Sequence, residues 1–298
     1  MVRGRCLGAL FTACKRFGAF LKFAFGTGSI RRNLRTIGSY HMMHATDVVI
    51  VASAFGANAV RTAGHRQWAQ ASRRAGAAGF EVRRELFGDE ADAAPSRLQE
   101  LGKQIAELGL WSVYSTPASL YAEDGQFDAA ALRLALDEAV ALGARFVKLQ
   151  LGAFARDAHG DAIAAQLRDV DVRLVVENGQ LAQGGLLPQF TGLFDALARE
   201  GHSGLLGMTF DVGNWAWCGV AALDAAAALA SHVEYVHCKV AAGEGARRFA
   251  AAPAVDDALF TAVLHRLPRD VPRGIEFPFD AACIDEDAAR RVAWLAAA

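Results

Sequence analysis

No two of the five cysteines form a CxxC pair, and no acidic residue precedes Asp47. An odd, unpaired set of cysteines gives no zinc-ribbon or disulfide-frame signature and fits a reducing compartment, so a cytoplasmic protein is expected. No apolar run is long and unbroken enough to span a bilayer. The longest candidate, CLGALFTACKRFGAFLKFAFGTG, is interrupted by Lys15, Arg16 and Lys22. No GxGxxG follows the first strand candidate, so a dinucleotide-binding Rossmann domain is unsupported. No Gly-rich phosphate cradle is evident, which favours an unphosphorylated small molecule. Net charge is only −1, against a nucleic-acid partner.

What is present is a chain of 298 residues, 53% hydrophobic and 21% charged. That suffices for a large core, and α/β barrels of this size are commonly one domain. The charge is uneven. Arg3, Arg5, Lys15, Arg16, Lys22, Arg31, Arg32 and Arg35 make the leader basic and leave the rest clearly acidic. We divide the chain into a basic N-terminal extension, 1–44, and a barrel domain, 45–298. The extension reads as a start mis-assigned ahead of Met42 or Met43, with a targeting peptide or interfacial helix as the alternative.

From Asp47 a pattern repeats. Apolar, β-branched segments occur at 48–53, 79–86, 110–116, 145–152, 172–178, 206–213, 233–240 and 274–279. Their starts recur roughly every 30 residues, the length of a βα unit. Between them lie Ala-rich stretches with helical spacing. PSRLQELGKQIAELG carries Leu98, Leu101, Ile105 and Leu108 on one face. DAAALRLALDEAVALG opens on the N-cap candidate Asp128 and closes on Gly143. ARDAHGDAIAAQLRD is the weakest helix because of Gly160. Eight alternating units predict a closed (β/α)8 TIM barrel.

In such a barrel the active site lies at the C-terminal strand ends. The segment RLVVENGQ, 173–180, ends a buried strand in a carboxylate, Glu177, and an amide, Asn178. The next three strands end with Asp211 and Asn214, with His237 and Lys239, and with Glu276. Three carboxylates within ~4 Å of one another repel by about 4 kcal/mol per pair at an effective dielectric of about 20. The total, roughly 12 kcal/mol, rivals the stability of a whole domain, so the cluster needs protons, Lys or Arg partners, or a cation. An isolated strand-end acid is most often a helix cap or a salt-bridge partner, and an isolated histidine is as readily a core residue; the joint pattern on successive strands is the signal. Three carboxylates and one imidazole suit one divalent ion, Mn, Mg or Co in preference to Zn.

On these residues the chain resembles the xylose isomerase-like TIM barrels, the sugar phosphate isomerase/epimerase group. The carriers are VVENG with Glu177, TFDVGN with Asp211, VHCK with His237 and GIEFP with Glu276, and the resemblance spans about residues 47–298. It implies a divalent metal held by Glu177, Asp211, His237 and Glu276. It also implies that Glu177 and Glu276 act as the acid/base pair, one removing a proton beside a carbonyl and the other returning it. The expected function is isomerase or epimerase chemistry on a small sugar or hydroxy-carbonyl compound. The alternatives are a lyase, dehydrating an inosose- or dehydroshikimate-like substrate, and a non-catalytic binding barrel.

Further candidates carry two readings each. Lys148 binds a substrate hydroxyl or carboxylate, or forms a structural ion pair; Lys239 stands similarly. Arg247, in GEGARRF, clamps a polar substrate or is a solvated loop residue. Glu81 and Glu85 share a face if the strand runs through both, so one of them, Glu81 foremost, reaches the mouth. Trp215 and Trp217 wall the pocket or pack a loop. Asn214 is a substrate contact that stands where the epimerases usually have a second histidine; an amide cannot carry a proton, which counts against a ketohexose-type substrate. The endonuclease IV branch needs extra histidines that the second and third strands lack, and nucleic acid is not expected as a partner. Neither is a membrane; a homodimer fits the group.

Overall fold

The computed structural model describes residues 46–298, and the expectations for the basic extension lie outside them. Among the described residues ten strands are present: β1 (Val48–Val51), β2 (Gly79–Arg83), β3 (Trp111–Tyr121), β4 (Phe146–Gly152), β5 (Arg173–Glu177), β6 (Gly207–Asp211), β7 (Val233–Cys238), β8 (Val240–Ala242), β9 (Phe249–Ala251) and β10 (Arg273–Ile275). Eight of them close into a barrel in the order β1-β10-β7-β6-β5-β4-β3-β2, with parallel neighbours throughout. This is the expected (β/α)8 TIM barrel. β8 and β9 form a separate antiparallel hairpin that periodicity did not reveal, because each has only three residues.

Local chemistry sets the helix ends. The Asp128 side chain accepts a hydrogen bond from Ala131 N, and Gly143 ends the same helix, Ala129–Leu142, in the left-handed region at φ 69°. Pro95 opens Pro95–Glu107, where its missing N–H costs nothing. Gly160 does not interrupt a helix but begins one, Gly160–Leu167. A Cβ there would meet the His202 ring at 2.4 Å.

Strand alternation then sorts the barrel interior into two layers. The lower layer is apolar: Val49, Val113, Phe146, Val175 and Tyr235 pack together, with Trp111 against them. Two residues further along β4, β5 and β7 the inward side chains are Lys148, Glu177 and His237, and β2 adds Glu81, all buried. The outward faces carry the main core, against the helices. Gly274 belongs to this arrangement. A Cβ on it would stand 2.3 Å from Tyr235 Oη, so only glycine leaves room for the phenol.

His65, 3% exposed, ties the outer shell to the barrel by accepting a hydrogen bond from Arg83 N at 3.2 Å, at the end of β2. Burial lowers its pKa from 6.5 to about 4, against a small opposing effect of that backbone bond. The unfolded chain therefore takes up this proton near pH 6.5 and the folded chain only near pH 4. The contribution is complete above the first value and is lost as pH falls towards the second, by about 3 kcal/mol in all. Urea unfolding should show this loss in the wild type, and His65→Gln should flatten that part of the profile. Gly274→Ala should cost about 1–3 kcal/mol by the same assay, through overpacking against Tyr235.

Candidate metal centre

Glu177 and Asp211 are the last residues of β5 and β6, His237 lies in β7, and Glu276 follows β10 directly. One ligand atom from each lies within 4.8 Å of all the others. The hub is His237, fully buried: its Nδ1 stands 2.7 Å from Glu177 Oε1, 2.9 Å from Glu276 Oε2 and 3.7 Å from Asp211 Oδ2. Its other nitrogen, Nε2, is 2.8 Å from Glu81 Oε2, which also accepts from Tyr235 Oη at 2.9 Å.

Each of the three converging carboxylates also has a cation. Lys148 pairs with Glu177, which accepts a further bond from Gln150 Nε2 at 2.7 Å. Lys239 Nζ lies 2.7 Å from both Asp211 Oδ2 and Glu276 Oε2. Arg83 Nη1 reaches Glu276 Oε1 at 2.5 Å, while the same guanidinium holds Glu85 at 2.6 Å. The Asn178 amide pins β5 to β6, donating to Asp211 O at 3.0 Å and accepting from Asp211 N at 2.8 Å.

The charges follow from these contacts. Burial works to raise the pKa of Glu177, but Lys148 and His237 outweigh it and hold the carboxyl below its usual range. Glu276 is likewise low, burial being overcome by Lys239, His237 and Arg83. Burial prevails at Asp211, whose pKa is raised despite Lys239. Burial opposes a charge on His237, yet Glu276, Glu81 and Glu177 push its pKa well up.

Three of the converging atoms, Glu177 Oε1, Asp211 Oδ2 and His237 Nδ1, are buried and meet one another and Lys239 through close ionic contacts that lack hydrogen-bond geometry. Three oxygens and one imidazole nitrogen are also the donors a divalent cation takes, so the residues fit one.

No protein-family model matches the sequence, and no curated protein matches it. Solved structures match the fold. A D-psicose 3-epimerase determined in the presence of D-fructose aligns over 84% of this chain and 98% of its own, at 13% identity and a TM-score of 0.60. A xylose isomerase domain containing protein from Salmonella typhimurium aligns over 84% and 97%, at 16% identity and 0.57. The fold is that of a xylose isomerase-like TIM barrel. A third solved structure, the probable 3-DHS dehydratase AsbF involved in petrobactin synthesis from Bacillus anthracis, aligns over 84% and 98%, at 11% identity and 0.56.

Within the barrel the anticipated residues fall into three groups. Glu177, Asp211, His237 and Glu276 meet. Lys148 and Lys239 reach them too, but as ion-pair partners of the carboxylates. The others stand apart from the ligand atoms. Glu81 is fully buried behind His237 and does not open to the mouth. β2 ends at Arg83, so Glu85 sits on a 3-10 turn and not on the face of Glu81. Asn214 spends its amide on structure: it donates to Asn178 O at 2.7 Å and accepts from Gln180 at 3.1 Å, while its backbone N–H caps Asp211 at 2.8 Å. Arg247 lies in the exposed turn between β8 and β9, and among the described residues its side chain makes no hydrogen bond or ion pair. Trp215 is buried against Phe190 and Phe210, so it packs the shell and does not wall a pocket.

Arg83, Gln150 and Tyr235 had not been singled out. A signal existed for the first two, since period-two counting from Glu81 and from Lys148 leads to them directly. Tyr235 precedes His237 by the same step, but its contact with Glu81 joins β7 to β2 and has no local trace.

A carboxylate on the far nitrogen of a metal-binding imidazole fixes its tautomer and raises its basicity. Glu81→Gln removes that charge at nearly constant volume. Mn²⁺ affinity, measured by calorimetry, should fall about 10- to 100-fold in a variant whose melting still shows a folded chain.

Proposed function

We propose that this chain is a divalent-metal-dependent isomerase or epimerase of a small sugar or hydroxy-carbonyl compound. The observation that carries the proposal is the convergence of Glu177 and Glu276 on His237 and Asp211 at the barrel mouth, three carboxylates and one imidazole within 4.8 Å of one another. A D-psicose 3-epimerase among the structures of like fold supports the reaction class.

In this reading Glu177, Asp211, His237 and Glu276 hold the ion. A bound divalent cation supplies a Lewis acid for the substrate carbonyl and offsets charge developing on its oxygen. Glu177 and Glu276 exchange the proton on the carbon beside that carbonyl, one as base and the other as acid. Lys148 and Gln150 keep Glu177 ionised and oriented; Arg83 and Lys239 do the same for Glu276. Lys239 and Arg83 contact the substrate beside Glu276. Glu81 is assigned to orienting His237.

A dehydratase uses the same first step and then expels hydroxide. The fold shared with the probable 3-DHS dehydratase AsbF favours it as the second reading.

Elemental mass spectrometry of the purified chain should find about one Mn, Mg, Co or Zn per wild-type chain and none in a Glu177→Gln/Glu276→Gln double variant. Incubation of the loaded wild type with a panel of ketoses and keto acids in D₂O should put deuterium beside one carbonyl. Loss of one water from the product selects the lyase. Neither metal uptake nor exchange on any compound would sink both readings.

A further inference from the structure

A second polar cavity lies outside the metal centre. It encloses about 360 Å³ between the helices Ala57–Ala63, His65–Arg74 and Pro95–Glu107 and the turn that follows β2. That is at the low end of the sizes small-molecule sites take. None of Glu177, Asp211, His237 and Glu276, and none of their Lys and Arg partners, lines it.

Donors dominate its wall. Arg61, Arg66 and Arg97 all line it and are exposed. Arg61 donates only to Asn58 Oδ1, at 3.5 Å. Arg66 and Arg97 make no hydrogen bond or ion pair among the described residues. Two carboxylates share the wall. Asp92 accepts from Asp89 N at 3.3 Å and Glu100 from Gln104 Nε2 at 2.6 Å, and neither pairs with a guanidinium. Three guanidinium groups against two carboxylates leave the wall one unit positive.

The helix His65–Arg74 adds to this charge. Its N-terminus opens on the cavity: Gly64 precedes it, no side chain caps it, and its first turn holds no acidic residue. The leading N–H groups lack side-chain acceptors, and that end carries about half a positive charge. Water satisfies an exposed N-terminus, so this alone makes no site. The buried His65 ring does point to a ligand. Its Nε2 accepts from Arg83 N at 3.2 Å, so in the neutral ring that burial enforces the proton sits on Nδ1. That N–H has no partner among the described residues, although His65 is only 3% exposed. Nε2 turns to β2 and one ring face lies on Phe87, centroids 4.6 Å apart, which leaves Nδ1 as the polar edge on the cavity wall. A buried donor without an acceptor is costly, and an anion in the cavity removes that cost.

We propose that this cavity binds a phosphate group, as the free ion or as a small ester, through Arg66, Arg97, the His65 imidazole and the first-turn amides of His65–Arg74. Every one of these groups donates. Guanidinium forks and a helix N-terminus that approach from different directions suit a tetrahedral oxyanion with several acceptor oxygens better than a neutral hydroxyl compound. The site is separate from that of the substrate and does not depend on the metal-dependent reading.

Calorimetric titration of the full chain tests this, with inorganic phosphate and glycerol 3-phosphate as probes. At least one should bind with a Kd of about 1 mM or tighter. Arg66→Gln/Arg97→Gln should weaken that binding about ten-fold or more in a variant whose melting still shows a folded chain. Arg168→Gln/Arg266→Gln removes the same charge from exposed positions elsewhere and should leave binding unchanged. Tighter binding of glycerol 3-phosphate makes an ester the occupant, and tighter binding of phosphate makes it the free ion. No binding of either probe overturns the proposal. So does binding that survives Arg66→Gln/Arg97→Gln, as phosphate held at the metal centre would. An equal loss in both double variants overturns it as well, since the anion would then be answering to net charge alone.

Discussion

A carboxylate inside a barrel has little water to solvate it, and here four strands aim one each at the same small volume. Their mutual repulsion is met by cations delivered from other strands: Arg83 from β2, Lys148 from β4 and Lys239 from just beyond β7. His237 stands between them, one nitrogen towards Glu177, Asp211 and Glu276 and the other towards Glu81. The parts depend on one another. Removing a cation leaves a buried carboxylate uncompensated, and removing a carboxylate strands a buried cation. The barrel has to close in one register for each cation to meet its anion.

That requirement explains features that look unrelated along the chain. Gly274 has no side chain because Tyr235 fills its place, and Tyr235 is there because its hydroxyl holds Glu81. Asn178 spends both ends of its amide on the backbone of Asp211, so the strands that carry Glu177 and Asp211 cannot slide relative to each other. The apolar layer of Val49, Val113, Phe146, Val175 and Tyr235 closes the barrel beneath the charges. Water is thereby kept from the lower side, and the electrostatic interactions above it are strengthened by the lower local dielectric. The lower layer supports the fold and the upper layer holds the charged cluster, on alternate residues of the same strands.

All eight barrel strands could be read from short apolar runs recurring at one βα unit, and the helix between β3 and β4 from Asp128 and Gly143 at its ends. Those signals are local: a cap, a period, a break. The four converging residues were legible for the same reason, since each lies at a strand end and successive parallel strands end on one rim. The hairpin of β8 and β9 was not legible, being too short to show a period. Nor was the ending of β2 at Arg83, which moved Glu85 off the face of Glu81.

The sequence by itself thus determined the architecture and which strand ends carry acid, imidazole and amine, because alternation and period depend only on neighbours along the chain. Only the tertiary structure decided who pairs with whom. Glu81 became a partner of His237, 156 positions away, and Arg83 a partner of Glu276, 193 positions away. Asn214 turned its amide inward to brace Asn178. The reason is physical: ion pairing and hydrogen bonding act over a few ångströms in space, and closing the barrel brings residues from β2 and β7 to that distance while leaving no mark on the segments that carry them.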